Sequence, residues 1–398
     1  VDASLKEPLE YPFAFDGLRL PPEFGELRRQ APITRVVLPT GGQAWLVTRH
    51  ADAHAVLSDA RFSRAAAESP WATKLGPFTP STHSLLGMDP PEHTKLRRLV
   101  SRAFQPQRVA SLRPLMQTAA ETLLKQLRQQ DGPVDLLATF ALPFATTAVF
   151  QLLGVPEADS GPLHVWTPVL FNSRAAGDAD PFEELIRYLR VIIEKMRRDG
   201  VQDGVIGSLI AARDQQGQLS EDELIHFVLL LITAGHRSTA NAIATGMLNL
   251  LRRPELFARL HTDRELIPNA LEELLRYNVH NALGALPRVA VVDVELGGVT
   301  IRARETVLVS LGSANHDEDV FPGAETVDIE RDTKMHLAFG HGAHFCIGAS
   351  FARLETEVAL ECILRLLPST LRLAVPAEQV PIHQLLVGYA LAELPVVW

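Results

Sequence analysis

The run Phe339-Gly340-His341-Gly342-Ala343-His344-Phe345-Cys346-Ile347-Gly348 sets one thiol among three glycines and two histidines, directly ahead of a stretch that reads as a helix. Three chemistries compete for Cys346. A buried, inert thiol is the ordinary fate of a lone cysteine. A zinc site would draw on His336, His341, His344 and Cys346, although ligands on one loop normally follow tighter spacings such as CxxC or HxxxH. An axial thiolate on haem iron needs a loop that holds the sulfur, backbone N–H groups aimed at it and a flat apolar neighbour. The segment has candidates for each: Gly340, Gly342 and Gly348 for backbone geometries closed to other residues, Phe339 to pack beside the ligand, and a helix N-terminus whose dipole favours an anion.

Other residue pairs have spacings that suit chemistry. Glu273 and Arg276 stand at i and i+3, so carboxylate and guanidinium can pair, and a buried bidentate pair fixes local geometry. His93 and Arg97, at i and i+4 after Pro90-Pro91, share a helix face and can present two donors to a carboxylate. Ala234-Gly235-His236-Arg237-Ser238-Thr239-Ala240-Asn241 interrupts a leucine-rich helix with small and polar residues. It reads either as a close helix–helix contact or as the face of a central ligand site.

The elements that must hold these groups are mainly helical, with a small β part. Periodicity predicts helices over Pro106–Gln130, Pro181–Asp199, Glu221–Arg253 and Asp263–Asn278. The third opens with Ser220 and Glu223 as a capping box. Ala44–Thr48 reads as a strand, Val294–Leu311 as a hairpin region, and the last segment, LLVGYALAELPVVW, as extended. No linker or repeat divides the chain, so all 398 residues are expected to form one domain. A net charge of -9 argues against a general nucleic-acid binder. Two cysteines are too few for a disulfide framework. With no signal-peptide pattern and no apolar run of membrane-spanning length, a soluble cytoplasmic protein is expected.

The cysteine segment closely resembles the haem-binding signature of the cytochrome P-450 family. Glu273-Leu274-Leu275-Arg276 resembles the family's ExxR element, which the resemblance joins to Arg331. Met88 to Arg97 resembles the helix whose histidine and arginine hold the haem propionates, with Arg288 and His344 completing the set. The resemblance implies a triangular single domain enclosing haem b, with Cys346 as metal ligand and Phe339, Gly340 and Gly348 around it. It also implies dioxygen as co-substrate and a separate ferredoxin with its reductase, docking where Arg102, Arg108 and Lys334 add positive charge. No membrane partner is implied. The substrate is expected to be a medium-sized apolar natural product, contacted by Arg64–Leu86, Val165–Ala175, Ile232–Ser238, Leu283–Leu286 and Leu385–Tyr389. Trp166, Phe171 and Tyr389 in those stretches favour a flat ring.

The long-helix motif departs from the family. Ala234 and Gly235 match, but Arg237 stands where relatives carry an acid, and Ser238 where they carry threonine, with Thr239 beside it. An arginine is a poor proton carrier. Arg237 is expected to turn outwards to a salt bridge while Ser238 or Thr239 organises water; the other reading has a substrate group join the relay. The change opens radical coupling, or a haem protein that binds or senses without turnover, as alternatives to hydroxylation. His280 and Arg304 also replace the family's usual proline and glycine.

Overall fold

The structure, a computed structural model, describes residues 7–398 apart from 16, 18, 76–83, 157, 160, 162–180, 202, 215–216, 218, 280–281, 284–285 and 385–387. Trp166, Phe171 and His280 therefore lie outside the described residues, as do the whole of the expected substrate-contact stretch 165–175 and parts of three others.

The helix Glu221–Leu251 runs for 31 residues and carries buried side chains on nearly every face. A helix apolar all round has to be central. It packs against Leu142–Leu153, Pro181–Arg198 and Ala349–Leu366. At its start the Glu223 N–H donates to Ser220 Oγ (3.2 Å) and the Ser220 N–H donates to Glu223 Oε2 (2.7 Å), the reciprocal capping the sequence predicts.

Two expected helices are divided by prolines. Pro106–Gln130 becomes Pro106–Ser111 and Arg113–Leu127, because Pro114 has no N–H for a continuous helix and instead sits in the first turn of a new one. Asp263–Asn278 becomes a 3₁₀ turn, Arg264–Leu266, followed by Ile267–Tyr277 with Pro268 in its first turn.

A six-stranded sheet takes the order Leu9–Glu10, Ile33–Val37, Gln43–Val47, Thr306–Val309, Arg288–Ala290, Phe62–Ser63. The hairpin expected over Val294–Leu311 is thereby corrected. Val294–Leu296 pairs only with Val299–Ile301, closed by Gly297 and Gly298 in the left-handed region. Thr306–Val309, buried at every position, enters the sheet interior between Gln43–Val47 and Arg288–Ala290. The C-terminal segment supplies strands Tyr389–Leu391 and Pro395–Val397 to two different small sheets. Among the described residues no helix is long and apolar enough to cross a membrane.

Candidate functional site

A cavity of about 400 Å³ lies between the middle of Glu221–Leu251 and the loop that carries Cys346. The loop is shaped by short bonds: Cys346 N–H donates to the Phe339 carbonyl (2.9 Å), Phe345 N–H to Gly342 (3.0 Å) and Gly340 N–H to Leu337 (2.8 Å). Gly340 and Gly342 both have φ of 71°, in the region that favours glycine. At Gly342 the demand is also spatial, since a Cβ there would stand 2.3 Å from the Leu57 carbonyl oxygen. Gly348 differs from expectation. Its φ is -86°, open to any residue, and its use is its N–H, which hydrogen-bonds the Cys346 sulfur.

Cys346 lies deep in the protein, yet its accessible face opens into the cavity. Burial pushes the thiol's pKa up, while the Gly348 N–H and the Arg97 and Arg353 guanidinium groups pull it down. The helix Ala349–Leu366 begins three residues later. The inert-thiol reading fits Cys362 instead, which is buried within the helical core. The zinc set is dispersed: His336 Nε2 bonds Glu272 Oε2 (2.8 Å), His341 lies against His54 and His344 against His93. Among the described residues no group of three or more His, Cys, Asp or Glu side chains is arranged to hold a metal ion.

One end of the cavity gathers His93, Arg97, Arg288 and His344. The His93 and His344 rings are 4.3 Å apart between centroids. Both Nε2 atoms are buried without a hydrogen-bond partner. Arg97 donates to the Phe345 carbonyl (2.5 Å) and Arg288 to that of Phe62 (3.4 Å). No carboxylate among the described residues lies within ion-pair distance of either guanidinium. The crowding shows in the acid–base balance. Burial, with Arg288 next, lowers His344 to about 3; burial, with Arg64 next, lowers Arg288 to about 10. Cations and orphaned donors converging on one place require an anion. A dianionic cofactor edge would supply it, so the residues present fit a haem bearing carboxylates at this end and sulfur at its iron.

Below the loop, Glu273 and Arg276 form a fully buried bidentate pair, Nε to Oε2 at 2.7 Å and Nη2 to Oε1 at 2.8 Å. Arg331 Nε reaches the same carboxylate at 3.2 Å. Arg276 also donates to the carbonyls of Asn315 and Ala324, and Asn315 Oδ1 in turn accepts from Leu337 N–H (2.6 Å) at the entry to the cysteine loop. A second network, unread in the sequence, braces the loop from its side. Arg353 and His336 both donate to Glu272, and the Arg353 guanidinium stands 4.5 Å over the Phe339 ring. Burial would raise the Glu272 pKa, but the bonds from His336 and Arg353 hold it down to about 2.

The long-helix motif divides between the two readings the sequence left open. Ala234, Ser238, Thr239 and Ala242 face the cavity. Gly235 does not: a Cβ there would meet Val149 Cγ2 at 3.0 Å, so it is a close-packing contact with Leu142–Leu153. Nor is Arg237 turned into open solvent. It is half-buried, and burial lowers its guanidinium pKa. His236 is buried, with Nδ1 2.7 Å from the Ile232 carbonyl, and burial lowers it to about 4. Ser238 Oγ donates to the Ala234 carbonyl (2.6 Å). Thr239 Oγ1 lies 2.9 Å from the Gly235 carbonyl and 3.3 Å from Oε2 of Glu355 on the neighbouring helix.

Glu355 went unassigned in the sequence, where Leu354-Glu355-Thr356-Glu357 gives no sign of which carboxylate is buried. Leu85, Leu86, Phe227, Leu230, Leu231 and Leu286 give the cavity its apolar wall. Tyr389 does not line it; it stacks on Phe15, with ring centroids 3.9 Å apart, inside a separate aromatic cluster. Lys334 is exposed and Arg108 half-buried, whereas the Arg102 side chain lies outside the description.

The cytochrome P450 family model matches residues 171–381. The mycinamicin IV hydroxylase/epoxidase of Micromonospora griseorubida is 42% identical over 98% of this chain and 99% of that protein. The nocardicin C N-oxygenase of Nocardia uniformis subsp. tsuyamanensis is also 42% identical, over 98% of each. A solved structure of a mutant of the mixed-function P450 MycG in complex with mycinamicin IV superposes with a TM-score of 0.92 at 41% identity, covering 98% of this chain and 100% of that one.

Proposed function

Since the chain belongs to the cytochrome P450 family and is a haem monooxygenase, we propose that it oxidises a medium-sized, largely apolar natural product at haem b ligated by Cys346. The convergence of His93, Arg97, Arg288 and His344 on one end of the cavity, with no carboxylate among the described residues at ion-pair distance of either guanidinium, carries this reading. Those four groups would hold the cofactor's carboxylates, and Cys346 its iron. Thiolate-ligated haem supplies oxygen activation, with electron density from sulfur favouring O–O cleavage. Phe339 and the Gly348 N–H keep the sulfur in place, and the apolar wall excludes water from the substrate side.

The relatives' names support a secondary metabolite as substrate: one acts on mycinamicin IV, another on nocardicin C. The aromatic preference loses one of its supports, because Tyr389 belongs to another cluster. Electrons would come from a separate ferredoxin. A groove of about 770 Å³ shares Gly340, His341 and Phe345 with the cavity, and its charged lining is balanced, Arg331, Lys334 and Arg353 against Glu272, Glu330 and Asp332.

The test is spectroscopic. The reduced, carbon-monoxide-treated protein is expected to show the red-displaced Soret band of thiolate ligation, and Cys346→Ala is expected to abolish it. A wild-type protein without that band, or a variant that keeps it, overturns the assignment.

A further inference from the structure

Arg64 opens the short helix Arg64–Ala67 and is 1% exposed, one of the largest fully buried side chains in the protein. Its guanidinium reaches acceptors in three places. Nη2 donates to Glu68 Oε1 (2.8 Å), in a pair whose side chains are 1% and 3% exposed. Nε donates to the Leu86 carbonyl (2.9 Å), and Nη1 donates to the Pro287 carbonyl. The start of the helix is fixed as well, since the Arg64 N–H donates to Asp89 Oδ1 (2.9 Å).

Two of those acceptors belong to the wall of the cavity or adjoin it. Leu86, in the 3₁₀ turn Leu85–Gly87, lines the cavity, and so does Leu286, the residue before Pro287. Leu286 has φ of 58°, in the left-handed region. A side chain is strained there, and a residue that precedes proline is steered toward extended backbone instead. Such a conformation persists only where its surroundings hold it. The bond from Arg64 to the very next carbonyl is a hold of that kind.

We propose that Arg64, oriented by Glu68, is the positioning residue that sets where Leu86 and Leu286 stand relative to each other in the cavity wall, and through them the size of apolar substrate accepted. This rests on the haem monooxygenase reading above. Arg64 is not among the lining residues, so it acts through the two leucines. Its planar fork presents donors at fixed angles and thereby fixes the two carbonyls, whereas an ammonium on a flexible stem carries the same charge without that geometry. Glu68 pairs the buried charge and stops the fork from turning. The charge itself also reaches Arg288 and His344, lowering the pKa of both, so a test of the fork has to keep the charge.

Arg64→Lys does so. The probes are imidazole and clotrimazole, a small and a bulky nitrogen donor, each titrated into the holoenzyme and followed by the Soret shift. The affinity ratio of clotrimazole to imidazole is expected to fall about tenfold in the variant, the effect of roughly one methylene of misfit in an apolar pocket. General loosening would weaken both azoles alike and leave the ratio unmoved, so a ratio that holds or rises overturns the proposal. Glu68→Gln retains the guanidinium and the shape of its partner, and covers the case in which a buried lysine prevents folding. In that variant, amide hydrogen exchange read by mass spectrometry should speed up together in peptides around Leu86 and around Arg288. Faster exchange confined to 64–68, or no change, overturns the proposal as well. Either failure would come with a normal carbon monoxide spectrum, whereas absence of the red-displaced band in the wild type would mark failure of the haem-thiolate reading.

Discussion

Replacing Glu273 by glutamine tests whether the buried pair beneath the cysteine loop holds the structure as its geometry implies. The carboxylate accepts four bonds, two from Arg276, one from Arg331 Nε and one from the Asp328 N–H (2.9 Å). Glutamine preserves the shape, removes the charge and turns an NH₂ toward groups that can only donate. Arg276, whose side chain is 0% exposed, would then keep its charge without a counter-ion. Stranding one member of a buried pair costs about 3–5 kcal/mol.

The same chain supplies an internal control in the Arg259–Glu330 pair, whose side chains are 44% and 56% exposed and whose removal should not measurably move stability. Urea unfolding of both variants, followed by circular dichroism at constant pH and haem content, reads the difference as a midpoint shift at unchanged slope. Haem retention should fall alongside stability in Glu273→Gln, because Arg276 holds the Asn315 carbonyl and Asn315 holds the Leu337 N–H that leads into the loop. If Glu273→Gln unfolds at the same urea concentration as Glu330→Gln, burial and bond count have been misjudged as a source of stability.

Two further outcomes follow from named geometry. Gly340→Ala and Gly342→Ala place a side chain at the same φ of 71°, but the first meets open space and the second the Leu57 carbonyl at 2.3 Å. The first should cost about 1–2 kcal/mol of backbone strain, the second clearly more together with a displaced Soret band, and equal losses by thermal unfolding would contradict this. Glu272, held to about 2 in the folded state, contributes stability that is complete above its unfolded pKa and is lost as pH falls from there through about 2. The difference in unfolding free energy between wild type and Glu272→Gln should therefore shrink by up to roughly 3 kcal/mol on acidification. A pH-independent difference between pH 6 and pH 2 would show that the His336 and Arg353 bonds do not set that group.

Much of the fold was legible because its signals are local. The capping box at Ser220 and Glu223 marked the start of the long helix within one turn, and continuous apolarity marked it as central. Pro114 and Pro268 were equally local, yet they moved boundaries, since a proline compatible with a first turn gives no sign of which turn it starts. Strand partners were not legible. Thr306–Val309 looked like the return arm of the preceding hairpin, and only its burial on both faces places it inside the large sheet. Of the candidate site, the cysteine segment, Glu273 with Arg276, and His93 with Arg97 were visible because each lies within one loop or one helix face.

By itself, then, the sequence determined which residues carry chemistry at short separation: a thiol in a glycine loop, a carboxylate three residues from a guanidinium, a histidine four residues from an arginine. Tertiary structure decided what those groups meet. It turned Gly235 toward Val149, drew Arg237 in from open solvent, placed His93 against His344 across 251 positions of chain, and brought Glu355 to Thr239 from another helix. The physical reason is that a helix or loop fixes contacts over about four residues. Which faces become buried together depends on the packing of the whole core, and that packing also sets the pKa of every group it encloses.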